Sequence, residues 1–171
     1  MKYLILLSLL SLESYAATSS IKFTAKTNGP GIEVEGEVQN PIVSMDFNKM
    51  EGTNFSADVM NLSTGMEKRD KHLHEKVFSA TNNGMAKIDF TILKMSCPTS
   101  ANSEVECDCI GNLKIKDLSN EIKFKALVNK TNKVVSGKAL VSLNQFKLTA
   151  PTFMGISVLD NVEVTFNVSA K

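Results

Sequence analysis

Apolar and polar residues alternate along most of this chain, and the alternation breaks in two places. Ile21, Phe23 and Ala25 share one face of a first segment, and Asn28-Gly29-Pro30-Gly31 then signals a turn. Ile32, Val34, Gly36 and Val38 oppose Glu33, Glu35 and Glu37 in the cleanest alternation of the chain. Pro41 opens a segment carrying Val43, Met45 and Phe47 on one face, and Phe55, Ala57 and Val59 mark the next. After Asn82-Asn83-Gly84 come Ala86, Ile88, Phe90 and Ile92, after which Leu93 and Met95 put apolar residues on the other face. Val105, Cys107, Cys109, Gly111, Leu113 and Ile115 form one long face. A turn is predicted at 117–120, then Ile122, Phe124, Ala126 and Val128, then a turn at 130–133. Gly137, Ala139, Val141 and Leu143 follow, and Val162, Val164, Phe166 and Val168 close the chain. A period of two is the mark of a half-buried strand. Eight or nine such segments at hairpin spacing predict an all-β fold, an antiparallel meander rolled into a sandwich or a barrel. A closed barrel of about eight strands has no exposed edge, and its interior is either filled by side chains or holds one small ligand.

The first break, residues 61–80, has no strand rhythm. Charges crowd between Glu67 and Lys76, and Met66, Leu73 and Val77 fall on one helical face. Ser63 or Thr64 is placed to cap the start, with Glu67 three residues beyond Thr64. The spacing predicts one short helix lying over an end of the β structure. The second break, 144–159, contains Pro151 and Gly155 and reads as irregular.

Composition narrows the function classes. The 171 residues are 43% hydrophobic and 22% charged with a net charge of +1, so they suit one domain with one sizeable core. Such a balance gives no electrostatic footprint for nucleic acid or an anionic membrane. At the start, Lys2 precedes a short apolar run from Tyr3 to Leu12, and Ser14-Tyr15-Ala16 is a small-x-small pattern. Residues 1–16 are therefore expected to be a cleavable signal peptide, cut after Ala16 or Ala17, with residues 17–171 as the exported domain. No later stretch has the length and apolarity of a membrane-spanning helix. No cysteine follows the apolar run closely, which argues against a lipid anchor.

Export would permit disulfides among Cys97, Cys107 and Cys109. Cys107 and Cys109, two apart on a strand, lie too far apart to bond easily. Cys97 precedes a loop and is placed to pair across a hairpin with either; Cys97 with Cys107 is the favoured pair, leaving one thiol free.

Catalytic chemistry is sparse. His72 and His74 stand beside Asp70 and Glu75, but residues two apart on a helix point to different sides, and the sequence contains no third histidine. A charged helix with solvated histidines is the simpler reading, and no metal site or cofactor is expected. No nucleophile elbow and no phosphate loop is present. A metal- or thiol-dependent enzyme built on His72, His74 and Cys109 stays as the least favoured class. The small inward residues, Gly36, Ala57, Gly111, Ala126, Gly137 and Ala139, mean either tight packing or volume for a ligand, and spacing alone leaves the two even.

One stretch resembles a known family. Thr64, Gly65, Arg69, Asp70, His72, Leu73 and then Phe78 are similar to the Thr-Gly-x-x-x-Arg-Asp-x-His-Leu run and following Phe of the YceI family of bacterial periplasmic proteins. The opening Ser20 to Lys26 and the run Gly111-Asn112-Leu113-Lys114-Ile115 look like further parts of its pattern. Ser19 stands where the family commonly has His, and Asp117 where it commonly has Gly. The resemblance implies a lipocalin-like antiparallel barrel whose long apolar cavity binds a polyisoprenoid, isoprenoid quinone or other long-chain amphiphile in the periplasm, with no enzymatic activity. By that analogy Phe23, Phe47, Phe90, Leu113, Phe124, Phe146, Phe153 and Phe166 are candidates to line or close the cavity. Arg69 and His72 are candidates for the rim near a polar head, their alternative role being to dock the helix. The protein would be a monomer or homodimer. The alternative function is an envelope-stress module with a filled core, acting through its surface.

Overall fold

A computed structural model describes residues 19–80, 86–153 and 155–169. The expected signal peptide and the Asn82-Asn83-Gly84 turn lie outside the described residues. The alternation of the sequence becomes β1 (Ser20–Thr27), β2 (Glu33–Val38), β3 (Ile42–Asp46), β4 (Lys49–Asp58), β5 (Leu62–Ser63), β6 (Lys87–Ser96), β7 (Glu104–Ile115), β8 (Leu118–Asn129), β9 (Val134–Ser142), β10 (Thr152–Phe153) and β11 (Ile156–Ser169), all pairing antiparallel.

Ten strands follow one another in the hydrogen-bonded order β3-β4-β6-β7-β8-β9-β11-β1-β2-β5, and β10 pairs the start of β11. The two ends of that order belong together. β2 and β3 are halves of one strand interrupted at 39–41, and β4 and β5 are halves of another interrupted at 59–61. The halves pair as Val38↔Leu62 on one side of the break and Ile42↔Ser56 on the other. The amide of Gln39 donates to the carbonyl of Asn61 across the gap, 2.7 Å. The wall is thus an eight-strand antiparallel barrel, in which closure pairs the backbone groups that an open sheet would leave bare.

Register follows from which face is apolar, since a slip of one residue would turn every inward side chain outward. β7 alternates exposed and buried residues from Glu104 to Lys114, with Val105, Cys107, Cys109, Leu113 and Ile115 inward. The parity change expected at Leu93 is a β-bulge: Ile92 pairs Gly111, Lys94 pairs Ile110, and Leu93 is left unpaired and exposed. The bulge returns Met95 to the inner face, opposite Cys109. The turn expected at 117–120 is tighter. Ile115 pairs Leu118, so only Lys116 and Asp117 turn the chain, with Lys116 at φ 55°. Ile32, expected inward, precedes β2 and is exposed.

The two breaks in the alternation cover one end of the barrel together. α1 (Glu67–His72) runs into a π-helical turn, Leu73–Val77. The predicted apolar face of this segment is shifted. Met66 is exposed, while His74, Val77 and Phe78 are buried, because the wider turn places residues 74 and 78 against the barrel. The stretch 144–159, expected to be irregular, is only partly so: it forms a 3-10 turn, Asn144–Phe146, from which Phe146 and Leu148 insert into the same end, and then β10 pairs back on the start of β11 through Thr152↔Ser157.

Candidate functional site

Three of the small inward residues hold no space open. A Cβ on Gly36 would overlap the ring of Phe23; one on Gly111, the ring of Phe90; one on Gly137, the ring of Phe166. Phe23 pairs Gly36 and Phe166 pairs Gly137 directly across the sheet, so each ring lies over a bare backbone. Aromatic rings covering glycines pin register and cover exposed peptide groups. Of the two meanings left open by spacing, tight packing is the one at these positions.

Four phenylalanines from four strands then meet inside the barrel. Phe55 contacts Phe90 with ring centroids 5.8 Å apart, Phe90 contacts Phe124 at 5.6 Å, Phe124 contacts Phe166 at 5.8 Å, and Phe166 returns to Phe55 at 5.9 Å. All four spacings are those of favourable tilted or edge-on pairs. This closed ring packs the middle of the bore and separates two apolar clusters. One contains Val59, Leu62, Val77, Phe78, Leu113 and Phe146; the other contains Phe55, Ile92, Val105, Cys107, Cys109 and Val135. The barrel interior is therefore two apolar halves with an aromatic floor between them.

The helix-side half lies under the two inserts. Phe146 is 2% exposed there and Val59 0%. Its helix is fastened by polar contacts rather than by the expected cap. Met66 stands at the N-cap position without a side-chain bond. Instead Asp70 reaches back to β5: its carboxylate accepts from Ser63 Oγ at 2.9 Å, from the Thr64 amide at 2.7 Å, and from the Thr64 hydroxyl in a short bond. Burial acts to raise the Asp70 carboxyl, but the Thr64 hydroxyl and amide, Ser63 and the nearby His74 ring outweigh it and hold it below its ordinary value. Arg69 Nη2 donates to the Thr64 carbonyl at 2.8 Å. His74, buried, has Nε2 2.8 Å from the Leu62 carbonyl, which it can meet only as a donor. His72 is exposed. The solvated-histidine reading thus holds for His72 and fails for His74.

The opposite half lies away from the helix. Ile21, Val43, Met45, Phe47, Met50 and Met95 pack against its cluster yet stay partly exposed. Met50 reaches this face because the strand is irregular there: the pairing of β3 with β4 shifts between Ser44 and Asp46, and Gly52 takes φ 86°. Cys97, exposed, and Cys107, 1% exposed, are joined by a disulfide with Cα atoms 4.3 Å apart. Cys109 is a free, buried thiol, pushed up to about 11 by burial and by Asp108.

The candidates named from the sequence thus separate. Phe47 packs on the cluster away from the helix; Phe90, Phe124 and Phe166 form the floor; Phe23, Leu113 and Phe146 belong to the helix-side cluster, over which Arg69 and His72 lie in α1. The backbone of Phe153 pairs Ile156, and its side chain lies outside the described residues. Cys109 belongs to one cluster and His74 bonds Leu62 of the other, so no thiol–histidine pair is assembled. Among the described residues no cluster of three metal-ligating side chains occurs, and no helix is long and apolar enough to cross a membrane. Two hollows are described, of about 510 Å³ beside Lys94, Asp108, Cys109 and Lys123 and about 460 Å³ beside Lys22, Leu127, Lys138 and Phe166.

The sequence reading missed Met50 and Thr53. Both precede the first clear alternation of β4, where the irregularity at Gly52 hides which residues face inward.

The profile of the family described as YceI-like domain matches residues 13–170. Among solved structures, Burkholderia cenocepacia BcnA is similar at TM-score 0.64 and 15% identity, covering 87% of this chain and 94% of that one. A polyisoprenoid binding domain from Saccharophagus degradans, implicated in plant cell wall breakdown, is similar at TM-score 0.63 and 12% identity, covering 87% and 91%. The YCEI protein of Campylobacter jejuni is similar at 0.54 and 21%, covering 80% and 86%. No curated protein sequence matches the chain.

Proposed function

The chain belongs to the YceI-like family, and from that premise we propose that it is an exported binding protein that sequesters or carries an amphiphile with an isoprenoid or other long apolar chain. One observation carries the reading: inward-facing Val43, Met45, Phe47, Met50 and Met95 remain partly solvent-accessible at the end away from the helix. An accessible apolar inner wall lowers its free energy by taking up an apolar chain, at about 0.8 kcal/mol for each methylene buried. Methionine suits such a mouth because its unbranched, polarisable side chain repacks around chains of different shape. Chains enter at this mouth and not beneath the helix, which places polar contacts of the ligand away from Arg69 and His72. The relative whose description names a ligand, the polyisoprenoid binding domain, agrees with this class. The protein acts by binding and not by catalysis, in the periplasm, after cleavage behind Ala16 or Ala17. It needs neither metal nor nucleic acid, and works as a monomer or homodimer.

Native mass spectrometry of protein purified from a bacterial periplasm tests this. Co-purifying lipid, or uptake of an added isoprenoid quinone, is expected, with an intact mass that begins at residue 17 or 18. Absence of both lipid and uptake sinks the proposal. The floor of four phenylalanines favours the second reading, a filled-core module acting through its surface, and that reading gains if wild-type protein takes up no ligand.

A further inference from the structure

Among the described residues two polar side chains are buried, His74 in the π-helical turn and Thr53 on β4. His74 has its partner in the Leu62 carbonyl. Thr53, 2% exposed, has none: its Oγ1 is buried with no hydrogen-bond partner. It lies on β4 two residues toward the mouth from Phe55, and the pairing of β4 with β6 begins only at the next residue, Asn54↔Thr91. A hydroxyl taken from water and left unpaired is costly, so such groups are rare unless something else uses them. The cluster beside it is built from Phe55, Ile92, Val105, Cys107, Val128 and Val135, and no buried charged side chain accompanies it.

Resting on the binding function above, we propose that Thr53 is the recognition residue of the half away from the helix. Its hydroxyl hydrogen-bonds a single uncharged oxygen of the ligand, a hydroxyl, ether or carbonyl, held between the phenylalanine floor and the methionine mouth. This selects neutral amphiphiles. A phosphate or carboxylate entering the same half would lose its water and find no cation, and one neutral hydroxyl does not offset that loss. The apolar remainder of the ligand packs along Met45, Met50 and Met95. From Val105 to Cys109, which pairs Phe124 of the floor, four strand residues give a depth of roughly 13 Å. A longer chain projects past the rim.

Three probes of one carbon skeleton decide it: farnesol, its hydrocarbon counterpart farnesane, and farnesyl phosphate, titrated against the full exported protein by calorimetry. Wild type is expected to bind farnesol roughly fivefold more tightly than farnesane, the worth of one net neutral hydrogen bond, and farnesyl phosphate most weakly. Thr53→Val keeps the shape and removes the hydroxyl. It is expected to erase the preference for farnesol, leave farnesane binding within about twofold, and hold or raise Tm, since an unsatisfied buried hydroxyl is gone. Thr53→Ser restores the preference. The assignment is overturned if wild type ranks farnesane level with farnesol, if farnesyl phosphate binds most tightly, or if Thr53→Val keeps the preference. Those outcomes leave the binding function standing. Failure of all three probes to bind wild type overturns both.

Discussion

His72 and His74 stand two residues apart and meet opposite environments. One faces solvent, and the other is buried against the Leu62 carbonyl. Replacing His74 leaves that carbonyl unpaired and opens space beneath the π-helical turn, so His74→Ala is expected to cost about 2–3 kcal/mol in urea unfolding. His72→Ala is expected to stay within about 0.5 kcal/mol of wild type. Equal losses would show that the ring of His74 does not fasten the helix. Asp70 adds a pH term. Its folded carboxyl lies below its ordinary value of 3.8, so the folded state prefers the ionised form. The stability it contributes is complete above that value and is lost as pH falls through the lower folded value. Asp160 behaves alike: Ser142 donates to it at 2.7 Å and the Asn144 amide at 2.8 Å, which holds its carboxyl down and fixes the turn that carries Phe146. Thermal melts are expected to show Tm falling with acid in this window, and less steeply in Asp70→Asn. An unchanged slope in that variant would remove Asp70 from the account.

At the scale of elements, the strands owe their register to pairs that match a ring with a missing side chain. Phe90 lies over Gly111 and Phe166 over Gly137. Gly111→Ala forces a methyl into the Phe90 ring and is expected to destabilise by about 1–3 kcal/mol; a neutral result would mean that the ring moves aside freely. The hairpin of β6 and β7 is also tied by Cys97 and Cys107, ten residues apart. Reduction frees that loop in the unfolded chain and is expected to lower stability by about 2–4 kcal/mol, read as a shift in the denaturant midpoint with and without reductant. Cys109, buried and held protonated, is expected to resist alkylation in the folded oxidised protein until it unfolds. Rapid labelling in the native state would contradict its placement.

Over the whole molecule, the two inserts and the aromatic floor give the barrel a direction. One end is plugged by Phe78, Phe146 and Leu148, and the other presents a half-exposed rim. Function at the end away from the helix predicts a contrast between distant substitutions. Met95→Glu places a charge on the inner wall and is expected to abolish uptake of farnesol, whereas Arg69→Gln at the helix end leaves uptake within about twofold. If Arg69→Gln alone abolishes uptake, ligand enters beneath the helix, and the direction argued here is reversed.

The alternation of residues by itself determined the class of fold, the approximate strands, the inward face of β7 and the presence of one helix, because period-two burial is a local consequence of strand geometry. The family likeness lay outside that alternation, in the run from Thr64 to Phe78. The parity change at Leu93 was legible, though its meaning as a bulge needed the partner strand. Contacts between strands far apart in sequence were not legible. Phe55, Phe90, Phe124 and Phe166 read as four inward residues of four strands, and only closure of the barrel makes them a floor. The meaning of the glycines, the burial of His74, the plug formed by Phe146 and the unpaired hydroxyl of Thr53 were decided the same way. Each depends on what arrives from another part of the chain to occupy the space, and a periodic pattern records which way a side chain points but not what it meets there.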